Sequence, residues 1–136
     1  MAPSEGWDGA LGVVIEEMTA ARVLAHVDID ERHLQPYGIV HGGVWASIVE
    51  TVASHGAAAA LHERTGEHAV VGTSNATDFL RPHRSGRVQA TGTPVFVGRT
   101  QQLWLVEITR VSDGKLLARG QVRLQNLGSL PEHRPG

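Results

Sequence analysis

The sequence contains no cysteine, and this absence excludes a class of chemistry. Disulfides, a thiol nucleophile, an acyl-cysteine intermediate and a cysteine-ligated metal all require that side chain. The chain also lacks a strong charge of either sign, since its net charge is only −2. No block of lysine or arginine gives it a general attraction to nucleic acid or to a membrane surface. A ligand must therefore be recognised through local features.

Several signature motifs of hydrolases and metalloproteins are missing as well. The sequence has no Gly-rich phosphate loop, no Gly-x-Ser-x-Gly nucleophile elbow and no His-Glu-x-x-His pair. It has eight histidines, but His55 and His62 lack a third ligand at a usable spacing. We therefore expect neither a nucleotide hydrolase nor a serine esterase, and we predict no metal and no separate cofactor.

Length and composition indicate one globular domain. The 136 residues are 41% hydrophobic and 19% charged, which suits a buried core and not a membrane-spanning or disordered chain. We assign residues 1–136 to a single domain with flexible ends at 1–9 and 128–136. The opening residues, Met1 to Asp8, carry two acids and no apolar core, unlike a secretory signal peptide. We therefore expect a cytoplasmic protein.

One long helix is predicted from Gly42 to about His62, ending by Gly66. A projection at about 100° per residue gathers an apolar arc that should be buried, consisting of Trp45, Val49, Val52, Ala53, Ala59 and Ala60. The opposite arc is polar and consists of Ser47, Glu50, Thr51, Ser54 and His55.

Strands are predicted on both sides of this helix. Before it, the runs 11–17 and 22–28 indicate a hairpin, followed by a loop over 29–40. After it, four alternating runs predict an antiparallel meander, at 69–80, 87–97, 101–111 and 115–125. The sequence therefore predicts an α+β fold in which a sheet covers a single apolar helix.

The segment from Gln35 to Ser54 is the most specific part of the sequence. It reads Gln-Pro-Tyr-Gly-Ile-Val-His-Gly-Gly-Val-Trp-Ala-Ser-Ile-Val-Glu-Thr-Val-Ala-Ser. With the order of elements over about residues 10–127, it resembles the hotdog-fold acyl-CoA thioesterases, in the branch of the 4-hydroxybenzoyl-CoA, 1,4-dihydroxy-2-naphthoyl-CoA and phenylacetyl-CoA enzymes. The resemblance implies a sheet wrapped around one central helix, and hydrolysis of an acyl-CoA to a free acid and CoA.

The same resemblance implies roles for five residues. Glu50 matches the catalytic carboxylate, and Ser54 matches a hydroxyl that helps to place the attacking water. The residues that orient and polarise the thioester carbonyl are matched by Gln35, His41 and Gly42. Other hotdog branches carry an aspartate elsewhere, or a pair of histidine with an acid for hydratase chemistry, so the position of Glu50 favours the thioesterase branch.

Physical chemistry supports this interpretation independently. The first N–H groups of a helix are unpaired and lie at its positive dipole end, so Gly42 and Gly43 would donate to a developing oxyanion. Glycine also allows a carbonyl oxygen to approach the backbone closely. An acid on a mostly apolar helix is costly without a purpose, which favours Glu50 as the base or nucleophile. Without cysteine, thioester chemistry must use oxygen.

Helix geometry adds an inference about assembly. Gly42 and Glu50 lie about 12 Å apart along one helix, too far to act on the same carbonyl. Two copies packed with antiparallel helices about a two-fold axis would bring Gly42 of one near Glu50 of the other. We therefore expect a homodimer as the minimum unit, and the resemblance implies a homotetramer.

A basic cluster follows the helix. Residues 80–105 contain no acid but carry Arg81, His83, Arg84, Arg87 and Arg99. We predict that the phosphates of CoA are bound by Arg81, His83, Arg84 and Arg99. For any single arginine, a solvated strand face is the favoured interpretation, and only the cluster supports a phosphate site.

Plainer interpretations of the motif residues are also open. Glu50 and Ser54 would suit a solvent-facing stripe, and His41 would suit a helix entry or a packing position. Only their occurrence together, in register with Gln35, favours a catalytic role.

The predicted function is therefore hydrolysis of an aromatic or medium-size acyl-CoA, with Glu50 as general base or as nucleophile. Aromatic acyl groups are favoured through the resemblance alone. The alternatives are a non-catalytic, oligomeric acyl-CoA-binding protein of the same fold, and another hotdog enzyme such as a hydratase. The five motif residues together argue against the first alternative, and the second would need an acid/base pair that is not recognisable in the sequence.

Overall fold

The computed structural model describes residues 6–128 as one sheet and one long helix, with a short helix at the start. The elements in chain order are α1 (Trp7–Leu11), β1 (Val14–Met18), β2 (Val23–Ile29), a 3-10 turn (Glu31–His33), α2 (Gly42–Thr65), β3 (Val70–Phe79), β4 (Gly86–Val97), β5 (Gln101–Arg110) and β6 (Leu116–Asn126). The predicted helix, its end at Gly66 and all six predicted strands are confirmed to within three residues.

The six strands form one antiparallel sheet in the order β1-β2-β4-β5-β6-β3. The opening hairpin of β1 with β2 is confirmed, and so is the meander from β4 to β6. The prediction that β3 belongs to the same meander, next to β4, is wrong, because β3 pairs with β6 and forms one edge of the sheet. Residues 80–85 instead run past the ends of β6 and β5 to reach β4. Six residues span roughly 20 Å, enough to cross three strand spacings of about 4.8 Å each.

Helix α2 lies across one face of this sheet and supplies about a third of the core. Five of the six predicted apolar positions are buried, namely Trp45, Val49, Val52, Ala53 and Ala60. Ala59 is only half-buried, whereas Thr51 of the polar arc is buried because α1 covers it. Gly56 permits close contact with β5, since a Cβ there would lie 2.4 Å from Cζ3 of the buried Trp104. No helix within the described range is long and apolar enough to cross a membrane.

The short helix α1 lies against α2 and includes residues 7–9, which were predicted from the sequence to belong to a flexible end. Leu11 is 1% exposed and belongs to the core. The buried His33 donates from Nε2 to the Leu11 carbonyl at 2.8 Å, while its Nδ1 accepts from the Asp30 N–H at 3.0 Å. Five residues are too few to show a helical period, which explains why the sequence did not indicate this helix. The predicted flexible ends at 1–5 and 129–136 lie outside the described residues.

Candidate active site

The start of α2 presents one free peptide donor. His41 is the N-cap, and its Nδ1 accepts from the Gly43 N–H at 2.8 Å. The Val44 N–H donates to the His41 carbonyl at 2.9 Å. Within residues 6–128, the Gly42 N–H has no hydrogen-bond partner. The expectation that Gly43 also donates to a ligand is therefore wrong, because the histidine cap already uses its N–H.

The structure shows a second reason for glycine at position 42. A Cβ there would lie 2.4 Å from Cε2 and 2.7 Å from Cζ of Phe79, so any other residue requires this ring to move. Phe79 is the last residue of β3 and is 58% exposed. Sequence analysis missed it as a site residue, because a strand-end phenylalanine carries no signal that it lies over a helix start.

A pocket of about 450 Å³ opens beside the Gly42 N–H, and we refer to it as the Gly42 pocket. Its lining includes Gln35, Gly42, Trp45, Phe79 and Arg81. The Oε1 atom of Gln35 accepts from the Tyr37 N–H, which leaves its amide N–H groups as the donors that remain. The pocket therefore combines two predicted residues, Gln35 and Gly42, that offer hydrogen-bond donors.

Glu50 lines a different pocket of about 490 Å³, which we call the Glu50 pocket. Asn75 of β3 donates from Nδ2 to the Ala46 carbonyl at 2.9 Å and lies 3.4 Å from Oε1 of Glu50. The Asn75 amide is oriented by Thr77, whose hydroxyl donates to its Oδ1 at 2.6 Å. Asn75 was missed by sequence analysis, because strand alternation does not show which helix residue a strand faces.

The surroundings of Glu50 correct one part of the argument from sequence. Glu50 is exposed in the single protomer, so the cost of burying an acid does not arise within one chain. It packs closely on β3, since a Cβ on Gly72 would lie 3.4 Å from the Glu50 carboxyl. Ser54 lies one helical turn further along and lines the same pocket.

The two pockets are separate in one protomer and share no lining residue. The structure thus brings Glu50 together with Ser54, and Gln35 together with Gly42. His41 lies at the helix entry, where its ring caps the helix rather than lining either pocket. Neither pocket alone contains both an acid and the free helix-start donor.

The structure does not form a single phosphate site from the predicted basic cluster. His83 is buried, and both of its ring nitrogens are used: Nδ1 accepts from Arg110 at 3.2 Å and Nε2 donates to the Gly86 carbonyl at 3.1 Å. These contacts fix the loop of residues 80–85 against β5, and they do not support the predicted role of His83 as a phosphate ligand. Arg99 lies at the opposite end of β4 from Arg84, roughly 35 Å away along an extended strand.

The remaining arginines divide between paired and available side chains. Arg87 makes a bidentate bond to Asp28, and this bond holds the pKa of Asp28 below its usual value. Arg81 and Arg84 donate only to backbone carbonyls, of Leu116 and Gly38 respectively, and both are exposed. Arg81 lines the Gly42 pocket, and Arg84 contacts the loop that carries Gln35.

Among the described residues, no group of three or more His, Asp or Glu side chains is arranged to hold a metal ion.

Comparison with known proteins agrees with this geometry. The family model of the thioesterase superfamily matches residues 37–117. Protein Rv1847 of Mycobacterium tuberculosis (strain ATCC 25618 / H37Rv) is 44% identical over 92% of this chain and 89% of its own length. The solved structure of Rv1847/MT1895 gives a TM-score of 0.85, covering 91% of this chain and 98% of that one.

Two further relatives carry names that state an activity. The structure of thioesterase HI1161 from Haemophilus influenzae is 32% identical, with a TM-score of 0.84 over 96% of this chain and 89% of its own. The 1,4-dihydroxy-2-naphthoyl-CoA thioesterase 2 of Arabidopsis thaliana is 36% identical over 79% of this chain and 69% of its length. These likenesses confirm the hotdog fold predicted from the sequence.

Proposed function

The chain belongs to the thioesterase superfamily and is a thioester hydrolase, and from this premise we propose that it hydrolyses acyl-CoA thioesters. In the proposed site, Glu50 of one protomer acts on a thioester carbonyl held at the Gly42 helix start of a second protomer. The observation that carries the proposal is the division of acid and donors between two pockets of one chain.

Glu50 supplies the reactive oxygen in this proposal. Within the described residues its carboxylate forms no salt bridge, and its one hydrogen-bond contact is with the Asn75 amide. An acid that is fixed by one amide and opens onto a pocket can take a proton from water or attack a carbonyl carbon itself. In the first route the water oxygen adds to the carbonyl and the C–S bond then breaks. In the second route the carboxylate adds to the carbonyl carbon and the C–S bond breaks, which leaves a mixed anhydride that water hydrolyses to the free acid and the Glu50 carboxylate. Both routes release CoA as its thiol.

The helix start supplies the stabilisation of the oxyanion. The free Gly42 N–H lies at the positive end of the α2 dipole, and the Gln35 amide faces the same pocket. Because His41 fixes the adjacent Gly43 N–H, it holds the first turn in place. His41 is therefore proposed as a positioning residue, and Ser54 as the hydroxyl that orients water beside Glu50.

A shared site follows from helix geometry, since Gly42 and Glu50 are separated by about 12 Å along α2. The edge strand β3 runs beside Glu50 and is exposed along most of its ten residues. An exposed edge is a natural place for a second copy to pair. A homodimer is thus the proposed minimum unit, and the homotetramer rests on the family resemblance. A cytoplasmic location is part of the same proposal.

The acyl group and the CoA contacts are the remaining parts of the proposal. An aromatic or medium-size acyl group is supported by the naphthoyl-CoA activity in the name of the Arabidopsis relative. For the CoA phosphates we retain Arg81 and Arg84, which lie at the Gly42 end of the protein with no acidic partner among the ion pairs of residues 6–128.

The test is a panel of aromatic and aliphatic acyl-CoAs, assayed for release of free thiol with a chelator present. Glu50→Gln should lower kcat by roughly 100- to 10,000-fold, as expected for loss of a positioned base. Glu63→Gln changes an exposed acid on the same helix outside the Glu50 pocket, so it should retain the wild-type rate. Equal rates for both variants, or no thiol release from any member of the panel by the wild type, would reject the proposal.

A further inference from the structure

The wall of the Glu50 pocket opposite β3 is formed by α1. Trp7 and Asp8 both line this pocket, together with Glu50 and Thr51 of α2. Helix α1 precedes the segment that the family model matches, so its contribution is additional to the shared motif. The pocket that contains the proposed base is therefore completed by a part of the chain that sequence analysis had treated as a flexible end.

Two side-chain bonds hold α1 in this position. The Trp7 indole Nε1 donates to the Ser47 hydroxyl at 2.8 Å, and the Thr51 hydroxyl donates to Oδ1 of Asp8 at 2.7 Å. The buried Leu11 anchors the other end of α1 in the core. Asp8 is thus fixed as a wall of the pocket, and its second carboxylate oxygen accepts no hydrogen bond from residues 6–128.

Within the described residues of one protomer, the charge in this pocket is negative and uncompensated. Asp8 and Glu50 both line it, and neither takes part in a salt bridge within the described part of the chain. None of the lining residues is a lysine or an arginine. Two unpaired carboxylates in a pocket of about 490 Å³ repel an anionic ligand and attract hydrogen-bond donors.

His55 adds a third acceptor to the same pocket. Its Nδ1 donates to the Thr51 carbonyl at 2.8 Å, because a carbonyl oxygen can only accept. In the neutral imidazole, Nε2 is therefore an acceptor. His55 is half-buried and lines the Glu50 pocket as well as the adjoining apolar groove of Met18, Ala58 and Ala59.

From these observations we infer that Asp8 is a specificity-determining residue, which selects uncharged acyl groups bearing a hydroxyl and rejects acyl groups bearing a carboxylate. The inference rests on the proposed function, since it assumes that the acyl group occupies the Glu50 pocket. The hydroxyl donates to the free oxygen of Asp8 or to Nε2 of His55, and a carboxylate is repelled by Asp8 and Glu50.

The test uses benzoyl-CoAs that carry a methyl, hydroxyl or carboxylate group at the 3- or 4-position, and the variant Asp8→Asn. Asparagine keeps an oxygen for the Thr51 hydroxyl, so α1 stays docked, and thermal unfolding checks this. The matched control is Glu31→Gln, which removes one negative charge from an exposed residue outside the pocket. The readout is the ratio of kcat/KM values between substituents, from which any general loss of activity cancels.

In the wild type, the carboxylate compound should be hydrolysed at least about 10-fold less efficiently than the methyl compound. Asp8→Asn should reduce the methyl-to-carboxylate ratio of kcat/KM values by roughly 5- to 10-fold. It should also lower the hydroxyl-to-methyl ratio of kcat/KM values by about 3-fold or more. The control should leave both ratios unchanged. Unchanged ratios in Asp8→Asn, or the same change in both variants, would overturn the inference.

Binding measurements separate this result from the proposed function. Thioether analogues of the same acyl-CoAs cannot be hydrolysed, and calorimetry gives their dissociation constants for the wild type and Asp8→Asn. If no thioester of the series releases thiol, the proposed function fails, while the binding ratios still decide whether Asp8 discriminates by charge. If thiol is released but neither the rate ratios nor the binding ratios change, only the inference about Asp8 fails.

Discussion

Gly42→Ala should abolish most of the activity while leaving the fold intact. The added Cβ would lie 2.4 Å from Cε2 of Phe79, and an ordinary carbon contact begins near about 3.4 Å. The ring must therefore retreat by about 1 Å. Phe79 is 58% exposed at a strand end, so its ring can rotate outward at small cost. Alanine also favours a helix over glycine by up to about 1 kcal/mol, so stability should change by less than about 1 kcal/mol.

The same methyl group should be far more damaging to catalysis. It stands beside the one free N–H of the helix start, where the thioester oxygen must approach. Loss of one oxyanion donor costs roughly 100- to 1,000-fold in kcat. The measurement is steady-state thiol release, with denaturant unfolding as the check on folding.

A second variant separates the two consequences of the methyl group. Phe79→Ala removes the ring, so the double variant Gly42→Ala/Phe79→Ala has no steric clash at this point. If Gly42 is needed for access to its N–H, the double variant should be as slow as Gly42→Ala, while Phe79→Ala alone keeps kcat within about 10-fold of wild type. Recovery of activity in the double variant would refute the reasoning, because glycine would then serve only to accommodate Phe79.

Two further predictions concern binding and stability. Arg81→Ala and Arg84→Ala should raise KM for acyl-CoAs more than they lower kcat, because contacts remote from the carbonyl bind ground state and transition state alike. Arg99→Ala, at the far end of β4, should leave KM unchanged. An equal rise in KM for all three variants would contradict this division. Gly56→Ala should destabilise the protein by about 1 to 3 kcal/mol in denaturant unfolding, since its Cβ would lie 2.4 Å from the buried Trp104, whose indole is held by Gln102. An unchanged denaturant midpoint of unfolding would contradict this prediction, because it would show that the contact can relax.

The fold was largely predictable because its elements have clear periods. The α2 pattern and the strand alternation each report local burial, and local burial is what periodicity encodes. The position of β3 was not predictable in this way. A strand has the same alternation whether it pairs with β4 or with β6, and only the path of residues 80–85 decides between them.

The residues of the candidate site that belong to one sequence motif could be predicted, whereas those that reach the site from distant parts of the fold could not. Gln35, Gly42, Glu50 and Ser54 lie in one continuous segment, and the structure places each of them on a pocket. The same pockets are also lined by residues from distant positions, namely Asn75, Phe79 and Asp8. Nothing local in the sequence connects these residues to the motif. The predicted arginines do not lie together in one protomer for a related reason, because residues at the two ends of β4 are near in sequence but far apart in space.

The arrangement of Gly42 and Glu50 on separate chains is the central claim, and subunit complementation tests it most directly. Glu50→Gln and Gly42→Val are each expected to be inactive, the second because valine is larger than the space beneath Phe79. In a mixed dimer, one site carries both lesions and the other carries neither. With random exchange verified by mass, activity should return to about one working site in four. If exchange is complete and no activity returns, Glu50 acts on a thioester held by its own chain and the shared site is wrong.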